Sequence, residues 1–391
     1  MLAMAVLPSA GLAQNNAPPL ADSTKPAEKA APPAKPAAPS LDFSGVVFGN
    51  YQYQGAAGPT KGQNKFDVER AYLTFRMPAG DHASIRVTGD LFQQTSAPAD
   101  AYYKGWVLRA KYAYLQYNFI TAAKSSDWGV LARIGLVHTM FIDHEENFWP
   151  RWLSQTPVER AGFFSSADAG VASIVSLPNK YGELYTAITN GPGYTSRETD
   201  RFKDYQARLT VTPLAASELS YLRTFAVDGW VYRGTIASKF VTVTDPSQVG
   251  PVGGGLDRNR WGLFAGIRDP RLTIGADYAS RTDARDTGLN TLASPRGVTD
   301  STGRLYSVYT VIRPFQIADA HSTIPLGIVA RYDNVRPNSD VDAHYNIYIA
   351  GLTWDLSKKS SISLDYQGQT RSGLTSVPRT RTYFLHWVAN F

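Results

Sequence analysis

Cysteine is absent from the 391 residues, which excludes disulfide frameworks, thiolate metal sites and cysteine nucleophiles together. Charge is scarce: Asp, Glu, Lys and Arg make up 18% of the chain, against 12% for Phe, Trp and Tyr. That balance is unusual for a water-soluble enzyme and suits a chain that alternates a lipid-facing side with a water-facing one. Long apolar runs are missing as well. With no stretch of about 18 apolar residues, no membrane helix is expected. Basic residues outnumber acidic ones, 39 to 33, yet no dense Lys/Arg run occurs, so no nucleic-acid partner is expected.

The six histidines (His82, His138, His144, His321, His344 and His386) fall in no recognisable nucleophile motif. His138 and His144 beside Asp143, Glu145 and Glu146 have the residue types of a divalent-cation site. The same cluster is commonly solvated loop charge. No catalytic residue, metal or cofactor is therefore expected.

Three regions differ in composition. Residues 1–13 are apolar and end on Gly11-Leu12-Ala13, the form of a secretory-signal remnant. Residues 14–41 are rich in Ala and Pro with scattered Lys, a composition that favours extended chain and reads as a periplasmic tether. From 42 to 391 the pattern is uniform: apolar and polar residues alternate over segments of about 10 to 13 residues, separated by Gly, Pro, Asp, Asn and Ser. In Ala71-Tyr72-Leu73-Thr74-Phe75-Arg76 one face carries Ala71, Leu73 and Phe75, the other Tyr72, Thr74 and Arg76. Val130-Leu131-Ala132-Arg133-Ile134 repeats this period of two.

Sixteen such segments begin near residues 42, 66, 82, 105, 128, 169, 181, 202, 218, 259, 271, 304, 324, 344, 361 and 380. Connections after even-numbered segments are short, as at Pro78–Asp81 and Asp269-Pro270. Those after odd-numbered segments are mostly long, with roughly 140–168, 228–258 and 282–303 the longest. Sorting by parity predicts an all-β fold, a transmembrane antiparallel barrel of about 16 strands in a bacterial outer membrane. Eight strands would fill their own interior, whereas about 16 enclose water. A diffusion channel for small hydrophilic solutes or ions follows. A substrate-specific channel, for phosphate, another anion or a sugar, and a barrel lipase or protease are the alternatives. Tyr112 and Tyr114 are candidates for an aromatic sugar path.

The third long loop, from Met140 to Asp168, holds Phe148, Trp149 and Trp152 among charges. Folding into the lumen would bury those rings and narrow the channel. Asp143, His144, Glu145, Glu146, Arg151, Glu159 and Arg160 are then the constriction candidates. Arg70, Arg76, Arg86, Arg133, Arg208 and Arg331 fall on predicted inward faces and form a basic pore wall. Acidic loop against basic wall predicts a transverse field. The last segment places Tyr383, Leu385, Trp387 and Phe391 on one face. That pattern resembles the signal read by the barrel-assembly machinery.

Four phrases, FDVERAYLTFR (66–76), KYAYLQY (111–117), RIGLVHTMF (133–141) and VERAGFFSSADAGV (158–171), resemble the phosphate-selective porin O and P family. The resemblance implies a 16-stranded homotrimeric porin, set in outer-membrane lipid, whose third loop folds inward. Phosphate-specific members select anions with lysines in that loop. This chain has no lysine from Ser125 to Asn179, so phosphate selectivity does not carry over.

Overall fold

The computed structural model describes residues 40–391 apart from 59, 95–104, 123, 125 and 241–252. The signal remnant and nearly all of the tether lie outside the described residues. Among those described, sixteen strands dominate: β1 (Asp42–Gln54), β2 (Asn64–Pro78), β3 (Ala83–Gln94), β4 (Gly105–Ile120), β5 (Gly129–His138), β6 (Ala167–Ser176), β7 (Gly182–Thr189) and β8 (Asp204–Val211). They continue with β9 (Ala226–Ala237), β10 (Gly255–Arg268), β11 (Leu272–Thr287), β12 (Gly297–Ile312), β13 (Leu326–Arg336), β14 (His344–Ser357), β15 (Ser360–Ser372) and β16 (Thr380–Asn390). Each pairs antiparallel with its sequence neighbours, and β1 pairs with β16 from Val46↔Asn390 to Gln54↔Thr382. The sheet is a closed barrel. Closure leaves no strand edge with unpaired backbone groups.

Strand order agrees with the alternation throughout, and two boundaries do not. The residues from about 218 to Phe225 read as the start of the ninth strand. They instead form a turn with a single 3₁₀ turn at Ser220–Leu222, closed by Arg223 Nε donating to the Ser217 carbonyl at 2.6 Å. β12 begins at Gly297, not near 304, and pairs with β11 out to Thr287↔Gly297. There both strands carry polar residues on each face (Arg285, Asp286, Thr299, Asp300), so a region that stands in water loses the alternation that marks a strand in lipid.

The outward face is apolar. Trp261 and Tyr306 stand exposed on β10 and β12 with half-buried Tyr278 of β11 between them, ring centroids 5.1 and 5.0 Å apart. Tyr332–Tyr348 and Tyr366–Tyr383 continue the pairing at 5.3 and 5.5 Å. Such cross-strand aromatic rows suit a lipid–water boundary.

The inward face departs from simple polarity. On β9, β10 and β12–β14 the buried residues include Trp230, Phe264, Leu305, Tyr309, Val329, Ile347 and Ile349. What covers them is the segment 139–166, which carries two short helices, α1 (Ile142–Glu145) and α2 (Pro157–Arg160). Phe148 packs on Phe264 of β10 at 4.9 Å and Trp149 on Tyr309 of β12 at 5.4 Å. Trp149 is completely buried. The segment therefore lies inside the barrel against one wall, and the core of the protein is this loop–wall contact.

Small residues let the sheet close tightly under the loop. A Cβ on Gly170 of β6 would press into the Ile188 carbonyl oxygen and approach Thr189 Cα to 2.7 Å. Both neighbours are backbone and cannot rotate away. Gly170→Ala is expected to cost about 1–3 kcal/mol through overpacking, read as a lower urea midpoint for the refolded barrel in detergent.

Candidate functional site

The loop is fastened to successive strands by polar contacts as well as by rings. Met140 N–H donates to Gln206 Oε1 of β8 at 3.1 Å, and its carbonyl accepts from Arg208. His144 Nε2 lies 3.0 Å from Asp228 Oδ2 of β9. Arg331 Nη1 of β13 donates to the Gln155 carbonyl at 2.6 Å, while its Nε and Nη2 grip Asp333. Gln367 Nε2 of β15 donates to the Leu153 carbonyl at 2.8 Å. Trp152 meets His386 of β16 at 6.4 Å. These contacts run from β8 round to β16, leaving the wall of β1–β5 facing the remaining space.

Three cavities border that free wall, and another of about 360 Å³ lies against β6–β8 at the short-turn end, with Lys124, Lys180 and Arg208 against Asp127 and Glu183. One of about 380 Å³ lies toward the long-loop end, with Lys65, Arg70, Arg151 and Arg160 among its lining against Asp67 and Glu69. One of about 190 Å³ is bordered by Arg133, His138, Asp143 and Arg208. A third, about 440 Å³ at the short-turn end, is lined by Arg76, Arg86 and Arg133 against Asp42.

The wall arginines divide into two groups. Arg70 pairs with Asp90 at 3.3 Å, and Arg76 reaches Asp42 only at 3.8 Å. Arg86 donates to Thr88 at 3.2 Å and lies over the Tyr112 ring at 4.8 Å. Arg133 donates to Gln116 at 3.0 Å and lies over Tyr114 at 5.0 Å. Both approach the His138 ring, Arg86 at Nε2 and Arg133 at Nδ1. A neutral imidazole has one acceptor nitrogen. Asp143 lies 3.2 Å from Nε2, so Nε2–H donates to Asp143 and Nδ1 accepts from Arg133. Arg86 and Arg133 thus keep cationic faces with aromatic support and no carboxylate of their own.

Arg208 and Arg331 are different. Arg208 is held by Glu183 and the Met140 carbonyl, and Arg331 is buried completely beneath the loop. The sequence places both on the pore wall; the structure makes them anchors of the loop, because the wall they stand on is covered. The tyrosines that were candidates for a sugar path, Tyr112 and Tyr114, are also buried and back His138, Arg86 and Arg133.

Loop acids separate likewise. Asp143 is half-exposed to the lumen. Its place in the barrel pushes the carboxyl up, but His138, Arg86 and Lys111 outweigh this and hold it below the usual carboxylate range. Glu146 and Glu159 both pair with Arg151, Glu146 at 2.7 Å. Glu145 is fully buried and does not face the lumen, a correction to its place among the constriction candidates. It sits on the wall side of α1 against β11. Burial and neighbouring Asp277 push its carboxyl well up. Arg160 donates to Ser154 Oγ at 2.7 Å and Gln367 Oε1 at 3.1 Å. Burial and then Arg331 lower it to about 10, so it remains a cation at neutral pH without a carboxylate partner.

Two wall cations escape the sequence reading. Arg109 pairs with Asp90 at 3.0 Å and lies 3.8 Å over Phe92. Lys111 is buried between Tyr72 and Tyr112, 4.3 and 5.3 Å from their rings. A register shift between Thr88 and Gly89, opposite Ala110–Tyr112, turns neighbouring residues of β4 to the same side. Alternation read through that bulge misassigns faces.

No family model and no curated protein matches the chain. Solved structures do. The anion-selective porin from Comamonas acidovorans superposes with a TM-score of 0.61 at 8% identity, over 90% of this chain and 100% of that one. The fold is that of the outer-membrane porins. The outer membrane channel DcaP of Acinetobacter baumannii (TM-score 0.58, 15% identity, 91% and 99% covered) and OmpF of Salmonella typhi (0.54, 12%, 90% and 97%) share it. At these identities the likeness is one of fold alone.

The site yields a clear test of loop anchoring in this porin fold. Trp149 has its ring against Tyr309, its Nε1 donating to the Ser154 carbonyl at 2.9 Å, and Arg331 stacked 5.0 Å above. Trp149→Ala is expected to cost about 3–5 kcal/mol in urea unfolding, with increased open-channel noise as the loop loosens.

Proposed function

We propose that the protein is a bacterial outer-membrane porin giving passive diffusion of small hydrophilic solutes, with anions favoured over cations. The observation that carries this reading is the unequal charge bordering the lumen, on the uncovered wall and on the loop beside it. Arg76, Arg86 and Arg133 face Asp42 at one end, and Lys65, Arg70, Arg151 and Arg160 face Asp67 and Glu69 at the other. Between them Asp143 stands opposite Arg86 and Arg133 across His138. In a narrow lumen with low-dielectric walls, such a field reaches across the path and is screened little. It orders water and polar solutes, disfavours apolar ones, and draws anions along the guanidinium side.

The inward loop acts in this reading as the constriction, filling the far wall and leaving the basic wall open. Phosphate selectivity of the porin O and P type is not part of it, because the loop contributes no lysine. Hydrolysis fits less well: among the described residues the hydrogen bonds of His138, His144 and His386 go to arginines and carboxylates, and none to a Ser or Thr hydroxyl that the imidazole could activate. Outer-membrane lipid, a homotrimeric assembly, and recognition of Tyr383, Leu385, Trp387 and Phe391 by the assembly machinery belong to the same proposal. Tyr383, Leu385 and Phe391 stand exposed on the outer face.

Refolded protein in a planar bilayer under a salt gradient should insert in steps and give a reversal potential of anion-selective sign. Arg86→Gln with Arg133→Gln should move the chloride-to-potassium permeability ratio toward one or below. Silence from folded protein, or cation selectivity in the wild type, sinks the proposal.

A further inference from the structure

Beneath the loop lies a cluster of oxygen atoms that transport does not use. Glu145 of α1 and Asp277 of β11 adjoin each other at the loop–wall contact, 0% and 6% exposed. Thr156, just ahead of α2, borders Glu145, and Tyr309 of β12 adjoins both carboxylates; these two side chains are 0% and 1% exposed. Both carboxylate oxygens of Glu145, both of Asp277, Thr156 Oγ1 and Tyr309 Oη are buried and make no well-formed hydrogen bond, although Glu145 lies close enough to Thr156 and Asp277 to interact with both. Arg331 is the guanidinium beside them. Its Nε and Nη2 bond Asp333 and its Nη1 bonds the Gln155 carbonyl, and it makes no hydrogen bond to Glu145 or Asp277.

Asp333 already engages the one guanidinium beside this pair, so Glu145 and Asp277, when both ionised, have no counter-charge of their own. Buried charge of that kind is costly unless something positive matches it. We propose that Glu145, Asp277, Thr156 and Tyr309 form a binding site for a divalent cation, Ca²⁺ by the chemistry of the donors. The set is oxygen only, with neither nitrogen nor sulfur, as a hard cation requires. Two carboxylates neutralise its charge, and water completes its coordination. The donors come from the loop and from two wall strands, so the cation pins α1 and the start of α2 to β11 and β12. A ligand bound only by the docked loop stabilises that docking.

The test uses full-length protein refolded in detergent and stripped with EDTA. Calorimetry with Ca²⁺ should show a single site per chain and a rise in thermal midpoint. Tb³⁺ should luminesce on excitation of Trp149, whose ring lies 5.4 Å from Tyr309, and Ca²⁺ should quench that signal by displacement. Glu145→Gln and Asp277→Asn should each weaken binding roughly tenfold or more while keeping the folded barrel's heat-shifted migration. Should either fail to fold, Tyr309→Phe removes a single donor oxygen and should weaken binding severalfold. Absence of both Ca²⁺ heat and sensitised Tb³⁺ emission in the folded wild type overturns the proposal. So does binding that is unchanged in the folded variants. A stability that rises as pH falls, with no effect of Ca²⁺, overturns it too and assigns the pair a shared proton instead.

Discussion

Backbone amides and carbonyls have nothing to bond with in hydrocarbon, and every other feature of this protein follows from meeting that constraint. The β1–β16 pairing removes the last open edge. Once sixteen strands close, the interior is too wide for the wall side chains to fill. What occupies that space decides the properties of the protein.

Here a single segment occupies much of it. Residues 139–166 bring Phe141, Phe148, Trp149 and Phe163 onto a wall whose inward positions are apolar or aromatic. Loop and wall were matched to each other: Ile347 and Ile349 would be out of place in a water-filled lumen, and Trp149 would be out of place in a free loop. Arg331 and Asp333 sit inside this contact, where breaking one partner would strand the other as a buried charge. The anchoring is therefore both apolar and ionic, and the loop has no alternative resting place of equal quality.

Coverage of one wall also sets the electrostatics. Cations beneath the loop become struts, and those opposite it border the open lumen. Arg86 and Arg133 keep their reach because aromatic rings and an imidazole support them without neutralising them. Asp143 is the loop acid left facing them. The asymmetry of charge along the path is a consequence of where the loop lies, not of how many arginines the barrel contains.

Alternation with a period of two, turns of Gly, Pro and Asp, and the parity of loop lengths determined sixteen antiparallel strands from sequence, because lipid on one face and polar groups on the other impose that pattern residue by residue. The aromatic third loop was legible for the same reason: rings such as Trp149 need a buried surface. Boundaries failed where the lipid no longer acts, as at Gly297–Thr302, and faces failed at the β4 bulge beside Lys111. Which arginines border the lumen was decided by tertiary structure alone. Arg133 and Arg331 are alike in a strand pattern; one stands on the open wall and the other lies under Trp149. Burial of Glu145 against Asp277 is of the same kind, since contact between a loop and a strand over a hundred residues away leaves no trace in the spacing of either.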